Sequence, residues 1–190
     1  MSSSFTKGRL VILSAPSGTG KTSVIQKLLK QYPRMIHSIS CTTRSPRGGE
    51  KEGADYHFIP EQKFKQMIHD NEFAEWAEVH GCFYGTPKAP LDKWLLEERD
   101  VILDLDVQGG MRLKNLFGSR CLTIFLLPPS VEELIKRLSS RGTDSEEAKK
   151  LRIENARHEL GFKDQYDFQV INRDLDQACK EIIEILGLRS

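Results

Sequence analysis

Ala15, Pro16, Ser17, Gly18, Thr19, Gly20, Lys21 and Thr22 follow the phosphate-binding pattern G-x-x-x-x-G-K-[ST], with alanine in the place of its first glycine. Such a run can hold an anion. Its two glycines let the backbone turn successive N–H groups inward. The N-terminus of a following helix adds its dipole. A lysine at this place reaches outer phosphates, and the threonine hydroxyl is a hard oxygen ligand for Mg²⁺. The alternative is an ordinary glycine-rich turn between a strand and a helix. The apolar residues Leu10 to Leu13 before the loop and a helical pattern after it supply the context that phosphate binding requires. Ala15 matters only if its position needs a positive φ.

A phosphate loop that uses a metal needs an acid nearby. The stretch VILDLDVQGG offers Asp104 and Asp106 at the end of an apolar run, and strand alternation puts both on one face. Two carboxylates facing one way repel unless cations or donors lie between them. The plainer reading of either is a cap for the helix that follows. A second dense stretch, SISCTTRSPRGGEKEGADYHF, carries Ser40, Arg44, Arg47 and Tyr56. Two arginines held three apart around a proline suit forked binding of phosphate oxygens, with the serine and tyrosine hydroxyls as neutral donors. A solvated basic turn is the alternative.

These residues need a frame. Four apolar runs, at 10–13, 101–105, 122–127 and 168–171, read as strands buried on both faces of a parallel sheet. Helical patterns follow at 22–32, 108–117, 131–139 and 175–186. Alternating strands and helices predict an α/β fold with helices flanking the sheet. From 36 to 84 the pattern shortens into HSIS, DYHFI and FAEWAEV with one helix at 60–71, which predicts an inserted α+β subdomain. The charged stretch RGTDSEEAKKLRIENARHEL reads as a loop and a long amphipathic helix.

The 190 residues suit one domain, and a formal net charge of +1 gives no global field for nucleic acid or membrane. The start MSSSFTKGRL lacks an apolar signal core, and no apolar stretch is long enough to span a bilayer. Cys41, Cys82, Cys121 and Cys179 are widely spaced, which suits free thiols in a reducing cytoplasm. His37, His57, His69, His80 and His158 lack metal-ligand spacing, and Trp76 and Trp94 read as core or interface fillers.

The segments SAPSGTGKTS, SISCTTRSPRGGEKEGADYHF, NEFAEWAEVHGCFYGT, VILDLDVQGG and FLLPPSVEELIKRLSSRGTDS, in that order, closely resemble the bacterial guanylate kinases over nearly the whole chain. The resemblance implies a P-loop kinase core at about 1–35, 87–140 and 166–190, a GMP-binding insertion at about 36–86 and a helical lid at about 141–165. It implies transfer of the γ-phosphoryl group of ATP to GMP with Mg²⁺. Carried over by motif, Ala15 to Thr22 wrap the ATP phosphates, and Asn172 lies beside the ATP base. Ser40, Arg44, Arg47, Tyr56 and Tyr84 hold the GMP phosphate, while Glu75, Thr86 and Asp106 read the guanine. Thr22 and Asp104 serve the metal, Asp104 through water, and Arg137, Arg141 and Arg152 approach the transferring group. Thr86 stands where many relatives have serine, and Arg173 where an acid is common.

The chemistry expected is positioning and charge neutralisation. Arg44 and Arg47 would neutralise the acceptor, Lys21 and Mg²⁺ the donor, and closure over the site at 141–160 would exclude water. Two other readings compete. A catalytically dead binding module would be expected to lose the loop lysine or glycines, which Gly18, Gly20 and Lys21 retain. A phosphate-loop kinase for another small acceptor differs only in the acceptor. ATP and GMP are the expected partners, with no nucleic acid or membrane, and monomer and homo-oligomer both stay open.

Overall fold

The computed structural model describes residues 8–79, 81–139 and 146–188. The chain forms β1 (Leu10–Ser14), α1 (Lys21–Gln31), β2 (Ile36–Ser38), β3 (Cys41–Thr42), β4 (His57–Phe58), α2 (Glu61–His69), β5 (Phe73–Val79) and β6 (Cys82–Pro87). It continues with α3 (Lys88–Leu96), β7 (Val101–Asp104), α4 (Val107–Phe117), β8 (Cys121–Leu127), α5 (Val131–Ser139), α6 (Glu146–Leu160), β9 (Phe168–Ile171) and α7 (Leu175–Leu186).

The four apolar runs become β1, β7, β8 and β9. They pair in parallel, in the order β2-β7-β1-β8-β9, with Leu10 beside both Val101 and Cys121. The strands β1, β7 and β8 are covered on both faces, as their apolar sequences require, whereas β9 differs from the expectation: it lies at the sheet edge and leaves Gln169 and Ile171 exposed. On one face α1 and α7 bring Val24, Leu28, Ala178 and Ile182 onto Val11, Leu13 and Ile124. On the other, α3 and α4 bring Leu91, Leu95 and Leu113 onto Leu10, Ile12 and Leu103. At the far end of β1, Arg9 donates to both Asp100 carboxylate oxygens and to the Leu186 carbonyl, which ties the sheet to the last helix. The carboxyl ends of β1 and β7 therefore sit side by side. An open α/β sheet places its ligands at that edge.

The second sheet, β4-β3-β6-β5, is small and mostly antiparallel. The helix α2 covers it, with Phe64 stacked on Phe73 at 4.4 Å and on Phe83 at 5.5 Å. One expected boundary shifts. The inserted unit was placed from 36, but β2 pairs with β7, Ile36 against Val101, and so closes the core sheet. Three residues are too few for alternation to say which sheet they join. The helix α3 is not among the expected helices. Pro87 precedes the first turn and Pro90 lies within it, where backbone N–H groups have no intrahelical acceptor to lose.

The long charged stretch is helical as α6. Its Ala156 packs on Leu134 and Leu138 of α5, with Ile153 and Leu160 alongside. Arg141 and the residues from 140 to 145 lie outside the described residues, as does His80. Trp94 packs against the core, whereas Trp76 is 41 % exposed. All four cysteines are free thiols. Among the described residues no helix is long and apolar enough to cross a membrane.

Candidate active site

The loop between β1 and α1 is built by two kinds of constraint. Gly20 caps α1 with φ at 94°, and a Cβ there would stand 2.7 Å from the Asn172 amide nitrogen. Only glycine meets both demands. That amide donates to the Thr19 carbonyl at 2.7 Å, so Asn172 is buried beneath the loop and braces it. The Asn172 amide is thereby committed to the loop backbone. Ala15 needs no positive φ: among the described non-glycine residues only Asn71 and Glu98 have one. The first glycine of the pattern is therefore dispensable here. Pro16 and Thr19 are buried, while Ser17 and Thr22 face outward. Lys21 forms an ion pair with Asp104 at 2.5 Å across the β1–β7 edge.

Arg44 comes from the small sheet and is held from several sides. Its guanidinium forks onto Glu50 at 2.8 and 2.9 Å, and its Nε donates to the Tyr84 hydroxyl at 3.2 Å. It also lies over the Tyr56 ring, 5.4 Å from the centroid. Glu50 in turn accepts the Arg47 backbone N–H at 2.7 Å. The Arg44 fork holds the Glu50 carboxyl down at about 2, and the pair keeps Arg44 charged at any ordinary pH. Burial pushes the Tyr56 hydroxyl up to about 12, so it stays a neutral donor. The solvated-turn reading thus fails for Arg44, whose side chain is only 12 % exposed, and fits Arg47 better, which is exposed. Glu50, which holds Arg44 in place, is not among the residues expected from the sequence. Its signal is its place three residues after the Arg-Ser-Pro-Arg segment and six after the arginine it clamps.

The third group is acidic. Asp106 caps α4, accepting the Gly109 N–H at 2.7 Å, so the plainer reading of this residue is seen directly. The same geometry leaves it facing the cavity beside Glu75. A Cβ on Gly109 would stand 3.0 Å from Glu75 Oε2 and 3.3 Å from Asp106 Oδ1, so a glycine lets the two carboxylates converge there. The N-terminus of α4 offsets part of their repulsion. Burial raises the Glu75 carboxyl, the Thr86 hydroxyl bond lowers it, Asp106 raises it and Arg112 lowers it, with a net upward shift. Thr86 is fully buried and donates to Glu75 Oε1 at 2.7 Å. The Thr86 hydroxyl thereby aims Glu75.

The three groups meet. A cavity of about 240 Å³ is walled by Ala15 and Lys21 from the loop, Ser40, Tyr56 and Tyr84 beside Arg44, and Glu75, Asp104 and Asp106. Thr22 opens onto an adjoining cleft that shares Ser40, Tyr56 and Asp104 with it. Arg137, bonded to Glu133 at 3.1 Å, and Arg152 on α6 stand outside the wall. Among the wall residues not expected from the sequence, Glu159 of α6 is the charged one, hidden in a stretch where charge is expected to be solvent-facing.

Comparison with known proteins follows this geometry. A family model for guanylate kinase matches residues 7–188. The chain is 42% identical over 181 residues to a guanylate kinase of Synechocystis, covering 95% of this chain and 94% of that protein. It is 45% identical over 176 residues to one of Porphyromonas gingivalis, covering 92% and 94%. The crystal structure of guanylate kinase from Anaplasma phagocytophilum superposes with a TM-score of 0.80 at 32% identity, over 96% of this chain and 86% of that one. A shikimate kinase from Bacteroides thetaiotaomicron, at 13% identity and a TM-score of 0.52, shares the fold alone.

Proposed function

We propose, for a chain that belongs to the guanylate kinase family, that the cavity is where ATP hands its γ-phosphoryl group to GMP. The reaction is ATP + GMP → ADP + GDP. The observation that carries this reading is the convergence on one cavity of a phosphate loop, the Tyr56 and Tyr84 side chains that flank the clamped Arg44, and a pair of carboxylates. In this reading the core binds ATP, the unit around the small sheet binds GMP, and the segment containing α6 is the lid.

The roles follow from charge and reach. The loop N–H groups and Lys21 take the ATP phosphates. Arg44, with Ser40, Tyr56 and Tyr84, takes the GMP phosphate, and Arg47 reaches it from the rim. Glu75 and Asp106 accept the guanine N–H donors, with Thr86 fixing the rotamer of Glu75. A GMP phosphate oxygen attacks the γ-phosphorus, and the bond to the β–γ bridging oxygen breaks, leaving ADP. The nucleophile is already anionic, so no strong base is required. The work is to bring two anions together in line and exclude water. Arg137, Arg141 and Arg152 are assigned to the charge that develops on the transferring group. Asn172 acts beneath the loop.

The donor set at Thr22 and Asp104 is hydroxyl and carboxylate oxygen opening on one cleft, which suits Mg²⁺ retaining part of its water shell. When bound, Mg²⁺ draws charge from the phosphate oxygens. Lys21 then serves two anions, since it already holds Asp104. The free thiols fit a reducing compartment, and we place the enzyme in the cytoplasm.

The test is ADP release from ATP across a panel of nucleoside monophosphates. GMP should exceed AMP, CMP and UMP by orders of magnitude. Equal rates with AMP would assign the acceptor site to another substrate. A mutation separates the two halves. Arg44→Ala removes charge-assisted contacts worth roughly 1.5–3 kcal/mol. It also leaves Glu50 ionised and unopposed against the incoming phosphate. Catalytic efficiency for GMP should therefore fall by more than about tenfold, with ATP affinity little moved. A parental efficiency for GMP would return Arg44 to the role of a solvated turn.

A further inference from the structure

Glu159 is placed by packing. On α6, Ala156 and Leu160 are one turn apart and lie against Leu134 and Leu138 of α5. Those leucines also touch the phosphate loop, since a Cβ on Gly18 would meet Leu138 at 3.1 Å and Leu134 at 3.5 Å. Glu159 precedes Leu160 in the chain and falls beside this seam, half-buried in the cavity wall with Ala15 and Lys21. Burial raises its carboxyl and Asp106 adds to that, while the Lys21 charge and the Ser17 backbone N–H favour the ionised form.

An acidic group there is out of keeping with the chemistry of the loop. Inward N–H groups and a lysine at a helix N-terminus are arranged for a phosphate oxygen. The cavity already carries Glu75, Asp104 and Asp106. A fourth carboxylate beside the loop repels any nucleotide tail that enters. The chain itself thus supplies an anionic group to the wall that the loop shares.

We propose that Glu159 is a built-in counter-anion of the phosphate loop, which the donor nucleotide must displace and which helps expel ADP after transfer. This rests on the reading of the loop as the ATP site. Displacement has a consequence for the lid. Arg152 lies seven residues earlier on α6, two turns away on the same face, so a shift that moves Glu159 off the loop also moves Arg152. The filling of the loop is thereby felt by the helix that carries an arginine of the transfer step.

The test is ADP binding by titration calorimetry to the parent, Glu159→Gln and Glu159→Ala, each checked for a parental melting profile. Glutamine keeps the shape and alanine favours the helix, so failure of one to fold leaves the other. Removing a like charge beside the phosphates should tighten ADP by about tenfold in either variant. In steady state KM for ATP should fall and product inhibition by ADP should strengthen by a similar factor. A merely structural residue would not give a gain of affinity when lost. ADP binding equal to or weaker than the parent's overturns the proposal. A parent that does not bind ADP at all would instead refute the reading of the loop.

Discussion

Lys21→Ala should lower turnover by about 10²–10³-fold, the usual loss when one preorganised donor to a developing charge is removed. GMP affinity should stay close to the parent's. The division follows from position. Lys21 opens α1 at the end of the loop and belongs to the donor half, whereas Tyr56 and Tyr84 line the cavity from the side of the small sheet, with Arg44 behind them. The ion pair of Lys21 with Asp104 at 2.5 Å adds to the expected loss. Without the lysine, the Asp104 carboxylate has lost its cation beside an incoming triphosphate, and the two repel. Mg²⁺ then has to offset both. Raising Mg²⁺ should recover part of the ATP affinity and little of the turnover, because a hydrated ion does not replace a lysine fixed at the transferring group. Turnover is read by coupled ADP release, and GMP affinity by calorimetry in the absence of ATP. Near-parental turnover would remove the loop from the donor role. Loss of GMP affinity together with turnover would point to collapse of the shared cavity instead.

The core of the fold was legible because parallel strands buried on both faces leave an unmistakable record. The runs at Leu10, Val101 and Leu122 are almost wholly apolar and lie in the central sheet, whereas the run at Phe168 carries Gln169 and forms an edge strand. The loop was legible for a different reason, since its residue types are dictated by backbone geometry. What failed to show was whatever depended on a distant partner. β2 is too short to announce that β7 would receive it. α3 carries two prolines at its start, Pro87 and Pro90, at positions where a helix tolerates them. In the site, Arg44 could be named from its sequence neighbours, but the Glu50 fork that fixes it is a contact, and only the structure holds contacts. Asp106 was read as both a cap and a site acid, and its geometry serves both, since capping Gly109 leaves it beside Glu75. Thr86 and Asn172 show the converse. Their hydroxyl and amide groups are spent on Glu75 and on the loop backbone, roles that a motif cannot distinguish from contact with a nucleotide. Glu159 was hidden by statistics: a charged residue in a charged helix is expected to face water.

Glu75→Gln should reduce efficiency with GMP by orders of magnitude while ATP affinity changes little. Guanine offers a ring N–H and an amino group on one edge, and a carboxylate accepts both. Adenine offers a bare ring nitrogen there, whose lone pair would face that carboxylate. A site that leaves buried polar groups unpaired rejects the wrong ligand by roughly 10⁴-fold or more. Glutamine keeps the length of the side chain and the bond from Thr86, but it turns a donor toward the guanine donors. Selectivity for GMP over AMP should therefore collapse. The parent carries a pH signature of the same residue. Burial raises the Glu75 carboxyl, so acidification protonates it earlier than an ordinary glutamate. KM for GMP should rise as the pH falls through that raised pKa, and Glu75→Gln should lack this limb. Stability moves the opposite way. A carboxyl whose pKa is higher folded than unfolded costs stability while ionised, and the cost fades as pH falls through the folded value toward the unfolded one. At neutral pH the glutamine variant should then melt no lower than the parent, with the difference shrinking in acid. A variant that melts like the parent yet keeps parental selectivity would show that Asp106 reads the base without Glu75. A variant that loses GMP efficiency without losing stability would tie the burial of that carboxylate to recognition, since nothing in the packing of β5 requires a charge there.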